Sequence, residues 1–306
     1  MNFELSEDQA SLLSGLDQLL ASEAPPAPTE PVFSAYADQL DMALAGSGYL
    51  DIAREDGFGV LDAALIVERL ARLPHTVEAA ASAILAPRLG IEPGLRPISM
   101  ISGQANRAGR YLDRASLVVI DRGEDALILP VKASDVELVE TLFAYPYGRL
   151  THIDPGCGRV FADVQLVRRL SRIALAAEAA GCMAAALALV VEHVTARQAF
   201  GRPLGAFQAI QHRLAMASET TESARWLALR AAWSDRDDDA AIAAGFVQMR
   251  IPQFTFDLHQ FTGAMGLTLE FPLHLWTYRL RALVGELGGS SGQARAAAAA
   301  AWPEAA

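Results

Sequence analysis

From about Arg168 onward the chain can be drawn as four long helical segments, 168–199, 206–234, 239–262 and 270–287, and so it must bury four apolar stripes against one another. The breaks are short: Gly201-Arg202-Pro203, an Asp-rich turn, and Gly263 to Gly266. Long helices joined by short connections are the pattern of an up-and-down four-helix bundle. Alanine is abundant in these segments, which keeps helix propensity high and lets helix axes approach closely. The last dozen residues, Ala-rich and containing Pro303, are expected to fray.

Upstream, the texture divides twice. Residues 1–95 read as helices: Ser6 followed by Gln9 is a capping-box pattern, and Leu12, Leu13, Leu16, Leu19 and Leu20 recur at helical spacing. Pro25, Pro26, Pro28 and Pro31 end that helix in a stiff connector, and apolar-periodic stretches follow at Phe33–Leu44 and Val60–Leu73. Residues 96–167 read as a small β region. Leu117–Ile120 and Leu127–Val131 flank the turn Arg122-Gly123-Glu124-Asp125 as a hairpin, and Val160–Leu166 reads as a later strand. The expected fold is mainly α with a small β domain: an N-terminal helical domain (1–95), a short central β domain (96–167) and a C-terminal four-helix bundle (168–306).

Several function classes are disfavoured. The formal net charge of −11, with Asp235, Asp237, Asp238 and Asp239 as the densest cluster, argues against nucleic acid. Cys157 and Cys182 make no disulfide framework, and the six histidines show no zinc spacing, so no metal is expected. The acidic opening MNFELSEDQ is unlike a signal peptide, which makes the cytoplasm the expected compartment. The stretch from Ile173 to Ala196 is the most membrane-like, but its uncharged part, Ala179–Val191, is too short to span, so no membrane association is expected. A Rossmann site is disfavoured by the lack of βαβ alternation and of a G-x-G-x-x-G opening a helix. No G-x-S-x-G elbow is present, and the only lysine, Lys132, is not in a Walker A loop.

The informative stretch runs from Arg197 to Met216. Read locally, Gly201 is a helix C-terminal glycine, Pro203 stops continuation, and Phe200, Phe207, Ile210 and Leu214 are core. Arg197, Gln208, Gln211 and His212 strain that reading by crowding one junction of a bundle. The run R-x-x-F-G-x-P-L-x-x-F-Q-x-I-Q resembles a signature of the flavin-dependent acyl-CoA dehydrogenases. Gln260-Phe-Thr-Gly263-Ala-Met-Gly266-Leu-Thr-Leu-Glu270-Phe-Pro272 resembles that family's Q-x-x-G-G-x-G-x-x-x-E-x-P, and MNFELSEDQASLL resembles its start. The resemblance implies helical domain, β domain and four-helix bundle, with both C-terminal motifs touching FAD held by a neighbouring subunit. Carried over, Arg197 pairs with the pyrophosphate, Phe200 lines the flavin site and Gln208 hydrogen-bonds the cofactor. Gln260, Gly263 and Gly266 let the backbone approach its adenosine-diphosphate portion, with Ala264 in place of the second glycine.

The family's chemistry needs a carboxylate base. Counting from Gln260, the usual base position falls on Leu287, one residue after Glu286. The alternative position falls on Ser171, and a shifted alignment would bring in Glu286 or Glu178. The family's hydroxyl-bearing T-E-P-G-x-G-S-D loop is echoed only by Glu92-Pro93-Gly94. This combination resembles the shorter subunit of two-gene, α2β2 bacterial acyl-CoA dehydrogenases, as does Leu283-Val-Gly-Glu-Leu-Gly-Gly-Ser-Ser-Gly-Gln293. It implies a full-length partner subunit, FAD shared with that partner, a CoA thioester substrate of sterol or bile-acid type, and electron-transfer flavoprotein as acceptor. Two other readings stay open: a self-sufficient flavoenzyme using Glu286 as a displaced base, and a scaffold that has lost flavin.

Overall fold

The computed structural model describes residues 4–28, 36–103 and 108–302. Pro31, Phe33 and Pro303 lie outside them, as do the first three residues of the MNF opening. Helix α1 (Glu7–Glu23) starts on the expected capping box: the Ser6 hydroxyl accepts from the Gln9 amide at 3.1 Å, and the Gln9 side chain accepts from the Ser6 amide at 3.1 Å. The same Gln9 donates to Asp62, whose other oxygen accepts from Gly59 N–H and opens α3 (Val60–Ala71). Between them lies α2 (Asp38–Gly46).

Seven short strands follow: β1 (Ile98–Ser102), β2 (Ala108–Arg110), β3 (Leu117–Asp121), β4 (Ala126–Pro130), β5 (Val136–Leu138), β6 (Tyr147–Leu150) and β7 (Arg159–Phe161). One sheet has the order β1-β3-β4-β7, with β1 parallel to β3 and the other pairs antiparallel; β2-β6-β5 form a second, antiparallel sheet. The expected hairpin is β3–β4, its turn closed by a bidentate Arg122–Asp125 pair. The expected strand at Val160–Leu166 stops at Phe161. Asp163 accepts a hydrogen bond from the Leu166 amide and caps a helix there instead.

That helix, α4 (Val164–Ala196), is the axis of the molecule. At 33 residues it is long and apolar enough to cross a bilayer, yet every residue from Leu170 to Met183 is buried inside the protein. Gly181 is where α3 crosses it: a Cβ there would lie 2.1 Å from the Glu68 carbonyl oxygen. A two-residue hairpin, β8 (Gln198–Ala199) and β9 (Arg202–Pro203), leads to α5 (Gln208–Ser234) and α6 (Asp237–Thr262).

Two expectations change at the C-terminus. The segment drawn at 270–287 is a shorter helix, α7 (His274–Leu283), followed by Leu287, Gly288 and Gly289, all at positive φ. Of the last dozen residues, expected to fray, 303–306 lie outside the described residues and 295–301 continue helix α8 (Gly289–Ala301), which is laid against α6. Its Gln293 is fully buried, donating to the Leu287 carbonyl and accepting from Arg172. Small residues, including Gly245 opposite Gln293, make room for that contact. The acidic cluster is also internally matched: Arg88 and Arg169 reach Asp235, Arg169 reaches Asp237, Arg230 reaches Asp239 and Arg236 reaches Asp238. Three of these aspartates occupy the first turn of α6, where the helix dipole favours negative charge.

Candidate functional site

The bundle end holds a cavity of about 530 Å³ between the end of α4, the start of α5 and the loop after α6. Helix α4 stops at Ala196, and Arg197 is its cap residue; Gly201 belongs to the hairpin turn, not to the helix end. Phe200 and Gly201 both have positive φ, 53° and 79°, the two-residue turn that matches strand twist. Phe200 is therefore a bulky residue in a conformation that disfavours one, and it is 93% exposed rather than core. Its ring meets Phe207 edge-on at 6.1 Å, and the Arg202 guanidinium stacks on Phe207. Ile210 and Leu214 do pack on the bundle core.

Arg197, Gln260 and Gly263 come together as lining residues of this cavity, with His193, Arg213 and Met265. Arg197 makes no ion pair among the described residues, whereas Arg213 is held by Asp257 at 2.6 Å. Burial, with the Arg197 charge beside it, keeps His193 below its ordinary pKa and so favours the neutral ring. Helix α5 begins without a side-chain cap, and its first-turn residues Ala209 and Ile210 line the cavity. An uncapped helix N-terminus beside an unpaired guanidinium is a setting for an anion.

Gly263 adopts φ 60°, ψ −144°, with open space where a Cβ would stand. Ala264, which follows it, sits at φ −58°, a conformation any residue accepts. Gly266 is placed differently: it is buried, outside the cavity lining, and a Cβ there would meet Thr262 Oγ1 at 1.9 Å. Its lack of a side chain lets the loop fold back on α6. Gln208, the first residue of α5, is exposed, and neither it nor Phe200 lines the cavity.

A second cavity, about 220 Å³, lies between the β region and α4. Ser171 and Leu287, the two positions the resemblance reserves for a base, both line it, together with Glu286, Met100, Tyr147 and Arg110. The Ser171 hydroxyl is spent on the Val167 carbonyl at 2.6 Å. Arg110 governs the carboxylates. Its Nε and Nη2 donate to the two oxygens of Glu286 at 2.6 and 3.1 Å, while Nη1 donates to Glu178 at 2.9 and 3.0 Å. Glu178 also accepts from the Tyr145 hydroxyl at 2.7 Å, and the guanidinium lies 4.6 Å from the centroid of that ring. Burial alone would depress Arg110; the charges of Glu178 and Glu286 outweigh it and hold the guanidinium well above its ordinary value. Burial also pushes the Tyr145 and Tyr147 phenols up, so both stay protonated. Sequence reasoning missed Arg110, because its partners stand 68 and 176 positions away. It also missed His193, which carried no spacing signal.

Among the described residues no three His, Cys, Asp or Glu side chains gather into a metal site.

Comparison with known proteins places these features. Residues 164–301, from the first residue of α4 to the last of α8, match the family described as acyl-CoA dehydrogenase, C-terminal domain. The acyl-CoA dehydrogenase FadE34 of Mycobacterium tuberculosis is 30% identical over 214 residues, covering 66% of this chain but only 30% of FadE34. IpdE2, an acyl-CoA dehydrogenase of the same organism, is 26% identical over 305 residues, covering 89% of this chain and 91% of IpdE2. Among solved structures, a chain of the ChsE4-ChsE5 complex from M. tuberculosis superposes with a TM-score of 0.74 at 21% identity, over 96% of this chain and 97% of that one.

Proposed function

Since the chain belongs to the acyl-CoA dehydrogenase family, an oxidoreductase family, we propose that it is a subunit of a heteromeric FAD-dependent acyl-CoA dehydrogenase. It contributes cofactor contacts across the interface while a full-length partner supplies the base. The observation that carries this reading is Arg197: an exposed arginine with no ion pair among the described residues, at a 530 Å³ cavity that also receives the uncapped start of α5. Small-molecule sites generally occupy ~300–1,000 Å³, so that volume is adequate. In this role Arg197 and the first turn of α5 hold phosphate oxygens, Gln260 adds a polar contact, and bare Gly263 leaves room for the cofactor backbone. Exposed Phe200 faces the partner. FAD held there would supply the hydride acceptor for oxidation of a CoA thioester, with electron-transfer flavoprotein as the proposed electron acceptor.

The second cavity supports the division of labour. A general base must come within hydrogen-bond reach of the proton it removes, and a carboxylate forked onto a guanidinium is fixed in orientation. Both oxygens of Glu286 accept from Arg110, Glu178 is clamped by the same guanidinium, and the 220 Å³ space is below the range just given. The M. tuberculosis neighbour, a ChsE4-ChsE5 complex by its description, is consistent with a two-chain assembly.

The test is flavin content, first of the chain purified alone and then of the chain co-purified with a full-length dehydrogenase subunit. The chain alone is expected to be colourless and the assembly yellow. Arg197→Ala should weaken FAD binding by the assembly about ten- to a hundredfold, the loss of a hydrogen bond to a charged group, without lowering its flavin-free melting temperature by more than a degree or so. Stoichiometric FAD and acyl-CoA-dependent dye reduction by the chain alone would favour the self-sufficient reading. Unchanged affinity in Arg197→Ala would remove the cofactor from this cavity.

A further inference from the structure

The loop after α6 has an unusual fastening. His259, on the last turn of that helix, is engaged at both ring nitrogens: Nδ1 lies 2.9 Å from the Gly266 carbonyl oxygen and Nε2 lies 3.0 Å from Thr277 Oγ1 on α7. A carbonyl can only accept, so Nδ1 carries the proton; Nε2 lies against Thr277 Oγ1, whose single proton is shared between the ring and the Leu273 carbonyl at 3.2 Å. The ring is half-buried. Burial lowers its pKa, the Gly266 hydrogen bond works in the opposite direction, and Arg281 and His274, both on α7, add to the lowering.

The segment His259 holds is the one that lines the larger cavity. It leaves α6 at Gly263 in a conformation suited to glycine and turns through Met265–Leu267. It then returns close enough to Thr262 that residue 266 has no space for a side chain. These glycines permit the loop's path but supply no attraction along it. Beyond the turn's own backbone bonds, Leu267 to Ala264 and Thr268 to Met265, the His259–Gly266 bond ties it to α6 and, through Thr277, to α7.

We propose that His259 is a positioning residue for the cofactor-facing loop: its Nδ1–H holds the Gly266 carbonyl and thereby fixes how Gly263, Ala264 and Met265 present themselves to the cavity. This rests on the cofactor reading of that cavity, but the loop's order can be measured without a cofactor. Asn places an amide N–H near the position of Nδ1, whereas Gln extends its amide towards the position of Nε2, so the two variants separate the two bonds. In the assembled complex, His259→Asn should keep FAD affinity and hydrogen-exchange protection of residues 263–268 close to wild type. His259→Gln and His259→Leu should weaken FAD binding about three- to tenfold and speed exchange in that loop, with helices α4 and α5 unaffected.

Equal loss in Asn and Leu, or unchanged exchange in Gln and Leu, overturns the proposal. Faster loop exchange in Gln and Leu with FAD affinity unmoved in every variant supports the positioning of the loop and refutes the cofactor reading instead. Exchange measured on the flavin-free complex guards against a variant that merely misfolds, since misfolding would also deprotect α4 and α5.

Discussion

Arg110→Met is the sharpest probe of the buried charge network. The guanidinium is 14% exposed and holds two carboxylates of different standing: Glu178, whose side chain is 9% exposed, and Glu286, at 31%. Removing the arginine lets Glu286 regain water, at small cost. Glu178 cannot do so; it keeps only the Tyr145 hydroxyl and becomes an uncompensated buried charge. Breaking such a pair costs about 3–5 kcal/mol. With an unfolding entropy of about 2.1 cal/mol/K per residue, a chain of this length should melt about 5–8 °C lower.

The paired control is Arg110→Met with Glu178→Gln, which removes the stranded charge and keeps an acceptor for Tyr145. It should recover most of the loss, because replacing both partners of a buried pair is often close to neutral. The assay is thermal unfolding of the assembled protein at pH 7, with circular dichroism to confirm helix content. A single variant melting within about 1 °C of wild type, or a double variant no more stable than the single, would refute the reasoning that Glu178 depends on Arg110.

Glu286→Gln should change the turnover of the assembled complex by less than about threefold; a loss of several hundredfold with flavin retained would identify Glu286 as the base. Gly181→Ala should lower stability by about 1–3 kcal/mol or more, because the atom in its way is a backbone carbonyl on α3 rather than a flexible side chain. A melting curve superimposable on wild type would show that the two helices can separate at no cost. The pH dependence follows from His259, whose folded pKa is depressed below its ordinary 6.5. Its contribution to stability is complete above that value and is lost as pH falls through 6.5 towards the folded pKa, because the unfolded chain then binds more protons. Melting temperatures from pH 7.5 to 5 should therefore fall more steeply for wild type than for His259→Asn. Parallel profiles would count against a depressed pKa.

Much of the fold was legible because its signals are local. A capping box spans three residues, a hairpin turn four, and an amphipathic stripe repeats every turn, so Ser6–Gln9, the β3–β4 hairpin and helices α4, α5 and α6 could be placed within a few residues of their observed ends. The cavity residues Arg197, Gln260 and Gly263 were legible for a different reason: two ordered motifs resemble those of a known family, and the bundle brings them to one end. What the sequence could not decide was every feature made by partners far apart along the chain. Alanine-rich ends usually fray, but here α8 lies against α6 and its buried Gln293 pairs with Arg172 and the Leu287 carbonyl. Phe200 reads as core by hydrophobicity, yet a left-handed hairpin turn turns it outward. The glycines at 263 and 266 look alike in the motif; tertiary packing gives one an open cavity and the other the side of Thr262. Arg110 carries no motif at all. Whether a guanidinium meets Glu178 and Glu286 depends on how β2, α4 and the turn before α8 converge in space, and charge pairing of that kind leaves no periodicity in a sequence because its energy depends on distance and burial, not on separation along the chain.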